Sequence, residues 1–149
     1  NDPIIGACLY AIRQILREVR WAVKPADSKK KVKDDEDAQF LEECMRSMTH
    51  TWSDLISEVM SMFPYGWAFF EQVFTFRKDG KVVWKKIPIR TQNSLEHWEI
   101  GESGDTIGIY QRPTPDYKLR YIPFKGKGIL FRTESRGNNP EGRSRFSSS

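Results

Sequence analysis

The sequence predicts an α+β fold, with two long helices packed beside an antiparallel sheet of about five or six strands. Three observations carry that expectation. Apolar residues recur every three or four positions from Ile4 to Val23 and again from Leu41 to Phe63. From residue 67 onward, short aromatic and β-branched runs alternate with Asp, Gly and Pro punctuation. The chain's 149 residues, 38% of them hydrophobic, suffice for one buried core without a disulfide framework or a structural metal.

The first helix opens at Asp2-Pro3, a side-chain cap followed by proline at the first helical position, where its missing N–H costs nothing. Ile4, Cys8, Ile12, Leu16, Val19 and Val23 mark one face as far as Pro25. Arg13, Arg17, Arg20 and Lys24 follow at spacings of four, three and four, which places four positive charges in a stripe on the other face. Such a stripe is ordinarily a solvated surface; contact with an acidic neighbouring subunit or with phosphate is the alternative. Residues 26–37 read as a charge-segregated linker, Lys29, Lys30, Lys31 and Lys33 running straight into Asp34, Asp35, Glu36 and Asp37. The acids complement the positive end of the helix they introduce.

That second helix is expected from about Asp35 to Phe63, far longer than the ~11 to 12 residues of a typical globular helix. Met45, Met48, Met60 and Met62 read as core or interface filler, and His50, off the apolar stripe, as a surface residue. Pro64-Tyr65-Gly66 ends the helix. Trp67 to Arg77 and Val82 to Ile89 flank Asp79-Gly80, a strong hairpin signal, with Pro88 edging the return strand. His97 to Ile100 and Thr106 to Gln111 form a second expected hairpin, and Leu119 to Pro123 with Gly128 to Thr133 a third. Residues 134–149, rich in Gly, Asn, Ser and Arg, hold too few apolar side chains to pack by themselves.

Composition narrows the function. Net charge is +4, but residues 1–110 hold 15 bases and 17 acids whereas residues 111–149 hold 9 and 3, so the surplus of +6 is a C-terminal property suited to nucleic acid or an acidic partner. No apolar run approaches the ~20 residues of a membrane span, and no signal peptide is visible. The absence of an initiator Met and the Ser147-Ser148-Ser149 end point to a piece of a longer chain. Cys8 and Cys44 fall in separate helical patterns and fit a reducing, intracellular setting. With two histidines and those two cysteines no zinc set assembles, and no Ser or Cys stands in a nucleophile-elbow context. Gly126-Lys127-Gly128 lacks the leading glycine and the following Ser or Thr of a phosphate loop. No catalytic residue, metal or cofactor is therefore expected, and a structural or assembly role is favoured over an enzymatic one.

Leu130-Phe131-Arg132-Thr133 followed by Asn139-Pro140-Glu141-Gly142-Arg143-Ser144 resembles the segment of tailed-bacteriophage portal proteins in which an FRT strand and an NPEGRS turn lead out of the wing toward the stem. The upstream order agrees: a long helix, Pro64-Tyr65-Gly66, the strand Phe69 to Phe74, Ile87-Pro88 with Arg90, then Trp98-Glu99-Ile100, Ile107 to Gln111 and Tyr121-Ile122-Pro123. The likeness covers about residues 40–144, and the family's continuation into stem, clip and crown is absent after Ser144.

The resemblance implies an N-terminal wing-region fragment of a head-tail connector. Its parts would be an N-terminal amphipathic helix (1–25), the charged linker (26–37), a wing-like α+β domain (38–133) and a basic tail leading toward the stem (134–149). It further implies a homo-oligomeric, dodecameric ring at the capsid vertex of the virion, assembled in the host cytoplasm and conducting double-stranded DNA during packaging and ejection. Terminase large subunit, capsid and scaffold proteins and tail adaptors are the implied partners, with no membrane. Charge density alone singles out Arg132, Arg136, Arg143 and Arg145, with the Arg13, Arg17, Arg20 and Lys24 stripe, for DNA or subunit contact. Ion pairing or free surface is the plainer reading of each. One rival is a nucleic-acid-binding module, with Tyr110, Tyr117, Tyr121, Phe124 and Phe131 interleaved among the C-terminal bases. A second is a small enzyme with an unrecognised site.

Overall fold

The structure, a computed structural model, describes residues 2–26, 31–134 and 136–146. Lys29 and Lys30 of the charged linker and the terminal serines lie outside the described residues. The chain is α+β and divides into two compact units, residues 1–57 with 74–86, and residues 58–73 with 87–149.

The first unit begins with α1 (Pro3–Glu18), capped by the Asp2 carboxylate, which accepts from the Ile4 N–H at 2.9 Å. α1 stops at Glu18 rather than near Pro25 because the chain turns extended at Val19 and the Ser53 hydroxyl donates to the Arg17 carbonyl at 3.2 Å, satisfying one orphan acceptor of the last turn. Helix α2 (Lys31–Ser47) starts earlier than expected, so Lys31 to Asp37 are helix, not linker. It is followed by a separate α3 (Trp52–Val59) and a short α4 (Met62–Tyr65), where one continuous helix is predicted from Asp35 to Phe63.

One long-range bond and a local cap explain the break. Thr49 gives its N–H to the Lys85 carbonyl at 2.9 Å, which removes it from the helical ladder. Thr51 and Asp54 then form a reciprocal cap: the Thr51 hydroxyl accepts from the Asp54 N–H at 3.1 Å and donates to the Asp54 carboxylate at 2.6 Å. The same hydroxyl holds the Asp54 carboxyl below the usual carboxylate range, aided by Arg17. Replacing Thr51 with Ala is expected to lower stability by about 1 kcal/mol. A urea unfolding midpoint unchanged by the substitution would show that the cap does not set the start of α3.

Strands β2 (Val73–Phe76) and β3 (Val82–Lys86) form the hairpin expected around Asp79-Gly80. α2 lies on β3 and buries Cys44 in this unit together with Met48, Leu55 and Val83; burial pushes the Cys44 thiol pKa up. His50 is half-buried with its Nε2 enclosed, and not the surface residue its spacing predicts. The hairpin end is clamped by Arg77, which reaches Asp79 at 2.6 Å and Glu43 of α2 at 2.7 Å and stands 5.4 Å over the Phe40 ring.

The Arg77 guanidinium, with the Lys81 backbone N–H, holds the Asp79 carboxyl down to about 2. A depressed carboxylate contributes stability above its unfolded pKa near 4 and loses it as pH falls through the folded value. The Asp79 carboxyl carbon is therefore expected to titrate near pH 2 by NMR in the intact chain. It should return toward the ordinary carboxylate range in Arg77→Gln, and a normal titration in the unmutated protein would remove the clamp.

In the second unit, β1 (Trp67–Glu71) lies at the centre of a sheet ordered β4-β1-β8, between β4 (Ile89–Arg90) and β8 (Gly128–Arg132), antiparallel to both. Trp67, Ala68, Phe69 and Phe70 are each no more than 4% exposed, so both faces of the strand are covered; this is why its sequence is a continuous apolar run rather than an alternation. A second antiparallel sheet is ordered β5-β6-β7, from Leu95–Ile100, Thr106–Gln111 and Arg120–Pro123. The core unites Trp67, Phe69, Ile109 and Ile122 with Leu95, Trp98, Phe124 and Leu130. Buried Gln111 is satisfied by the Ser94 hydroxyl at 3.1 Å.

Among the described residues the eight strands thus form three small sheets, not one sheet of five or six. Gln72 separates β1 from β2, its N–H taken by the Lys127 carbonyl at 2.7 Å. The expected third hairpin is likewise divided. Phe124 still bonds Ile107 beside β6, and then its carbonyl accepts from the Gly128 N–H, turning the chain so that β7 pairs with β6 and β8 with β1.

Candidate functional site

The most tightly organised surface feature is the way the chain leaves the second unit. Gly66 terminates α4 in the left-handed conformation, φ +88°, with its N–H on the Met62 carbonyl at 2.7 Å. Lacking a side chain, it lets the backbone of Gly142 lie directly on it. A Cβ added at either glycine would overlap the other's carbonyl oxygen. Thr133 ties the two segments: its N–H donates to the Gly66 carbonyl at 3.0 Å and its hydroxyl to the Arg143 carbonyl at 2.5 Å. Beyond, the Arg145 N–H donates to the Phe63 carbonyl at 2.9 Å.

Side chains reinforce this seating. Trp98 Nε1 donates to the Glu141 carboxylate at 2.9 Å while the indole packs edge-on against Trp67, ring centroids 4.9 Å apart. Arg132 donates to the Asn139 carbonyl at 2.6 Å, and Pro140 is buried. The tail therefore packs as its composition allows, through backbone and polar bonds rather than an apolar cluster. The sequence names both glycine-bearing motifs but not their contact, which joins residues 76 positions apart.

Of the residues singled out for contact, Arg13 and Arg17 lie exposed on α1, and Arg17 pairs with Asp54 at 3.4 Å. Arg20 and Lys24 are exposed on the extended segment after α1, so the four charges are not one helical stripe. In the second unit Arg132, Arg136, Arg143 and Arg145 are all exposed. Arg136 and Arg143 line a shallow depression of about 270 Å³ with Glu134 and Glu141; Arg136 pairs with Glu134 at 2.9 Å. Two acids answer two bases there, so the depression is not a simple anion site.

Aromatic exposure is mixed. Tyr117 and Tyr121 are exposed, but the Tyr110 ring is stacked between His97 at 4.5 Å and Tyr121 at 4.8 Å. Phe124 packs on Phe69 and Phe131 on Phe70. Those ring faces are engaged within the fold and are not offered to bases. Among the described residues no group of three or more His, Cys, Asp or Glu is arranged to hold a metal, and no helix is long and apolar enough to cross a membrane.

What the fold and this surface define is an α+β protein whose second unit uses a polar network to fix the path of its own backbone. The family described as portal protein of Mu bacteriophage matches residues 1–148, and the chain belongs to that family. It is thus a structural component of a bacteriophage virion, of a kind that associates with the capsid and forms oligomeric rings. A comparison with curated proteins gave no match.

Proposed function

We propose that the chain is the wing region of a portal subunit in a dodecameric ring at the capsid vertex, the conduit for double-stranded DNA during packaging and ejection. In this reading the ring docks the terminase large subunit during packaging, meets capsid and scaffold proteins during assembly in the host cytoplasm, and later carries the tail through adaptor proteins. Residues 38–133 form the wing-like body, and residues 134–149 lead toward the stem. The role is structural, with ATP hydrolysis left to the motor. The observation that carries it is the family match across 148 residues. The seating of residues 139–146 on the second unit supports it, since the Thr133 and Arg145 bonds hold that segment in one path against the body that carries it.

The exposed Arg132, Arg136, Arg143 and Arg145 would meet phosphate, if they meet DNA, without reading bases. Electron microscopy of the assembled protein tests the proposal: closed rings with a channel that admits duplex DNA are expected. A protein that stays monomeric under conditions that assemble portals would overturn it. The nucleic-acid-module alternative has less support, since four of its five aromatic rings, Tyr110, Tyr121, Phe124 and Phe131, contact other rings of the fold.

A further inference from the structure

Ten glycines occur in the chain and only Gly80 follows an Asp or an Asn, so Asp79-Gly80 is its single Asx-Gly step. Such a step is chemically fragile. The glycine nitrogen, unshielded by a Cβ, can attack the carboxyl carbon of the preceding aspartate: a C–N bond forms, water leaves with a carboxyl oxygen and the amide hydrogen, and a cyclic imide results. Water then opens the imide at either carbonyl and returns aspartate or isoaspartate, whose backbone runs through the side-chain carbon. The first step has two requirements. The carboxyl must be protonated so that its oxygen departs as water, and the amide nitrogen must give up its proton.

The turn between β2 and β3 opposes both. Each Asp79 carboxylate oxygen accepts two hydrogen bonds: Oδ1 from Arg77 Nε at 3.0 Å and from the Lys81 N–H at 3.2 Å, Oδ2 from Arg77 Nε at 3.0 Å and from Arg77 Nη2 at 2.6 Å. Arg77 is held in turn by Glu43 of α2, at 2.7 Å, and the Gly80 N–H is engaged by the Arg77 carbonyl at 2.9 Å. The charges of Arg77 and Lys81 outweigh that of Glu43 behind Arg77, and the Asp79 carboxyl is held down to about 2. Against an ordinary value near 4, its protonated form is about a hundredfold scarcer at neutral pH.

We infer that Asp79-Gly80 is this chain's site of isoaspartate formation and that Arg77, by pairing with the Asp79 carboxylate, holds it in the unreacted form. An isoaspartyl link would lengthen the turn by one backbone carbon and leave the former backbone carboxyl as the free group. The paired oxygens would then no longer stand where Arg77 bridges the hairpin to Glu43 of α2. A virion component is not resynthesised once the particle is complete, so an uncatalysed reaction of this kind accumulates with the particle's age.

The full chain is incubated for weeks at about pH 6, above both carboxyl values, either folded or in urea, and is then digested. The isoaspartyl peptide keeps the mass of its parent, separates from it by chromatography and is not cut before residue 79 by an Asp-specific protease. Isoaspartate at residue 79 is expected to form about tenfold or more faster in urea than in the folded chain, and about tenfold or more faster in folded Arg77→Gln than in the unmutated protein. That substitution leaves the backbone carbonyl of residue 77 for the Gly80 N–H, so its effect reads the carboxylate pairing. Arg77→Lys, which keeps the charge but not the fork of donors, should fall between. Glu43→Gln removes the charge that holds Arg77 from α2, keeps the Arg77 bonds to Asp79, and should change the rate little. Circular dichroism checks that each variant is folded; should Arg77→Gln not fold, Arg77→Lys and the urea comparison carry the test. Equal rates in urea and in the folded chain, or in Arg77→Gln and the unmutated protein, would overturn the inference. An equally large rise in Glu43→Gln would overturn the role of Arg77 and give it to the packing of the hairpin on α2. Conversion in urea at another aspartyl or asparaginyl step, with residue 79 unreacted, would overturn the site.

Discussion

Alanine at Gly66 is expected to release the exit segment and to destabilise the second unit by about 3 kcal/mol. Two costs combine. At φ +88° an L side chain is strained, at about 1 to 2 kcal/mol for the left-handed region. The new methyl also overlaps the Gly142 carbonyl, which has no flexible side chain to move aside. The segment can relieve the overlap only by lifting off, and lifting off gives up the Thr133 hydroxyl bond to Arg143, the Arg145 bond to Phe63 and the Trp98 bond to Glu141. Each is worth about 0.5 to 1.5 kcal/mol net. Trypsin should then cut faster after Arg136, Arg143 and Arg145. Glu141→Gln is the milder companion: it keeps a hydrogen-bond acceptor for Trp98 and should leave cleavage nearly unchanged. If Gly66→Ala leaves both the unfolding midpoint and the tryptic rate as they were, the glycine contact is not what holds the exit.

Alanine at Phe69 is expected to cost about 4 kcal/mol, the usual scale for emptying a buried aromatic site. Phe69 is fully buried, stacked on Phe124 at 5.3 Å and edge-on to Trp98 at 6.5 Å, and it stands at the junction of the two small sheets. Its ring also closes over Gly128, so the site cannot collapse by moving β8 inward without disturbing the turn at Phe124. Against a total stability of ~5 to 15 kcal/mol such a loss is large. Phe69→Leu, which keeps most of the volume, should cost markedly less. Equal urea midpoints for the alanine variant and the unmutated protein would mean that the core is organised elsewhere.

Much of the fold was legible because its signals are local. Asp2-Pro3 marks the start of α1, and Asp79-Gly80 and the Gly101 to Asp105 turn locate two hairpins, since cap and turn chemistry act within a few residues. The helix break at Thr51 was legible in principle, because Thr51 and Asp54 stand at the spacing of a capping box. The unbroken apolar period from Leu41 to Phe63 outweighs that signal in a sequence reading. Of the basic residues singled out, the structure shows positions and local partners: Arg17 with Asp54, Arg136 with Glu134, Arg132 with the Asn139 carbonyl. Those partners follow from where loops settle, which charge density does not encode.

The sequence by itself determined the α+β class, the hairpin at Asp79-Gly80, the basic region over residues 111–149 and, through Asn139 to Ser144, the likeness to portal proteins. Strand partnership was decided only in three dimensions. β7 and β8 are close in sequence yet join different sheets, because hydrogen-bonding capacity is the same along every strand and the covering of Phe69, Ile109 and Ile122 selects among pairings. The seating of Gly142 on Gly66 belongs to the same category: a missing side chain carries no signal of its own until another backbone occupies its space.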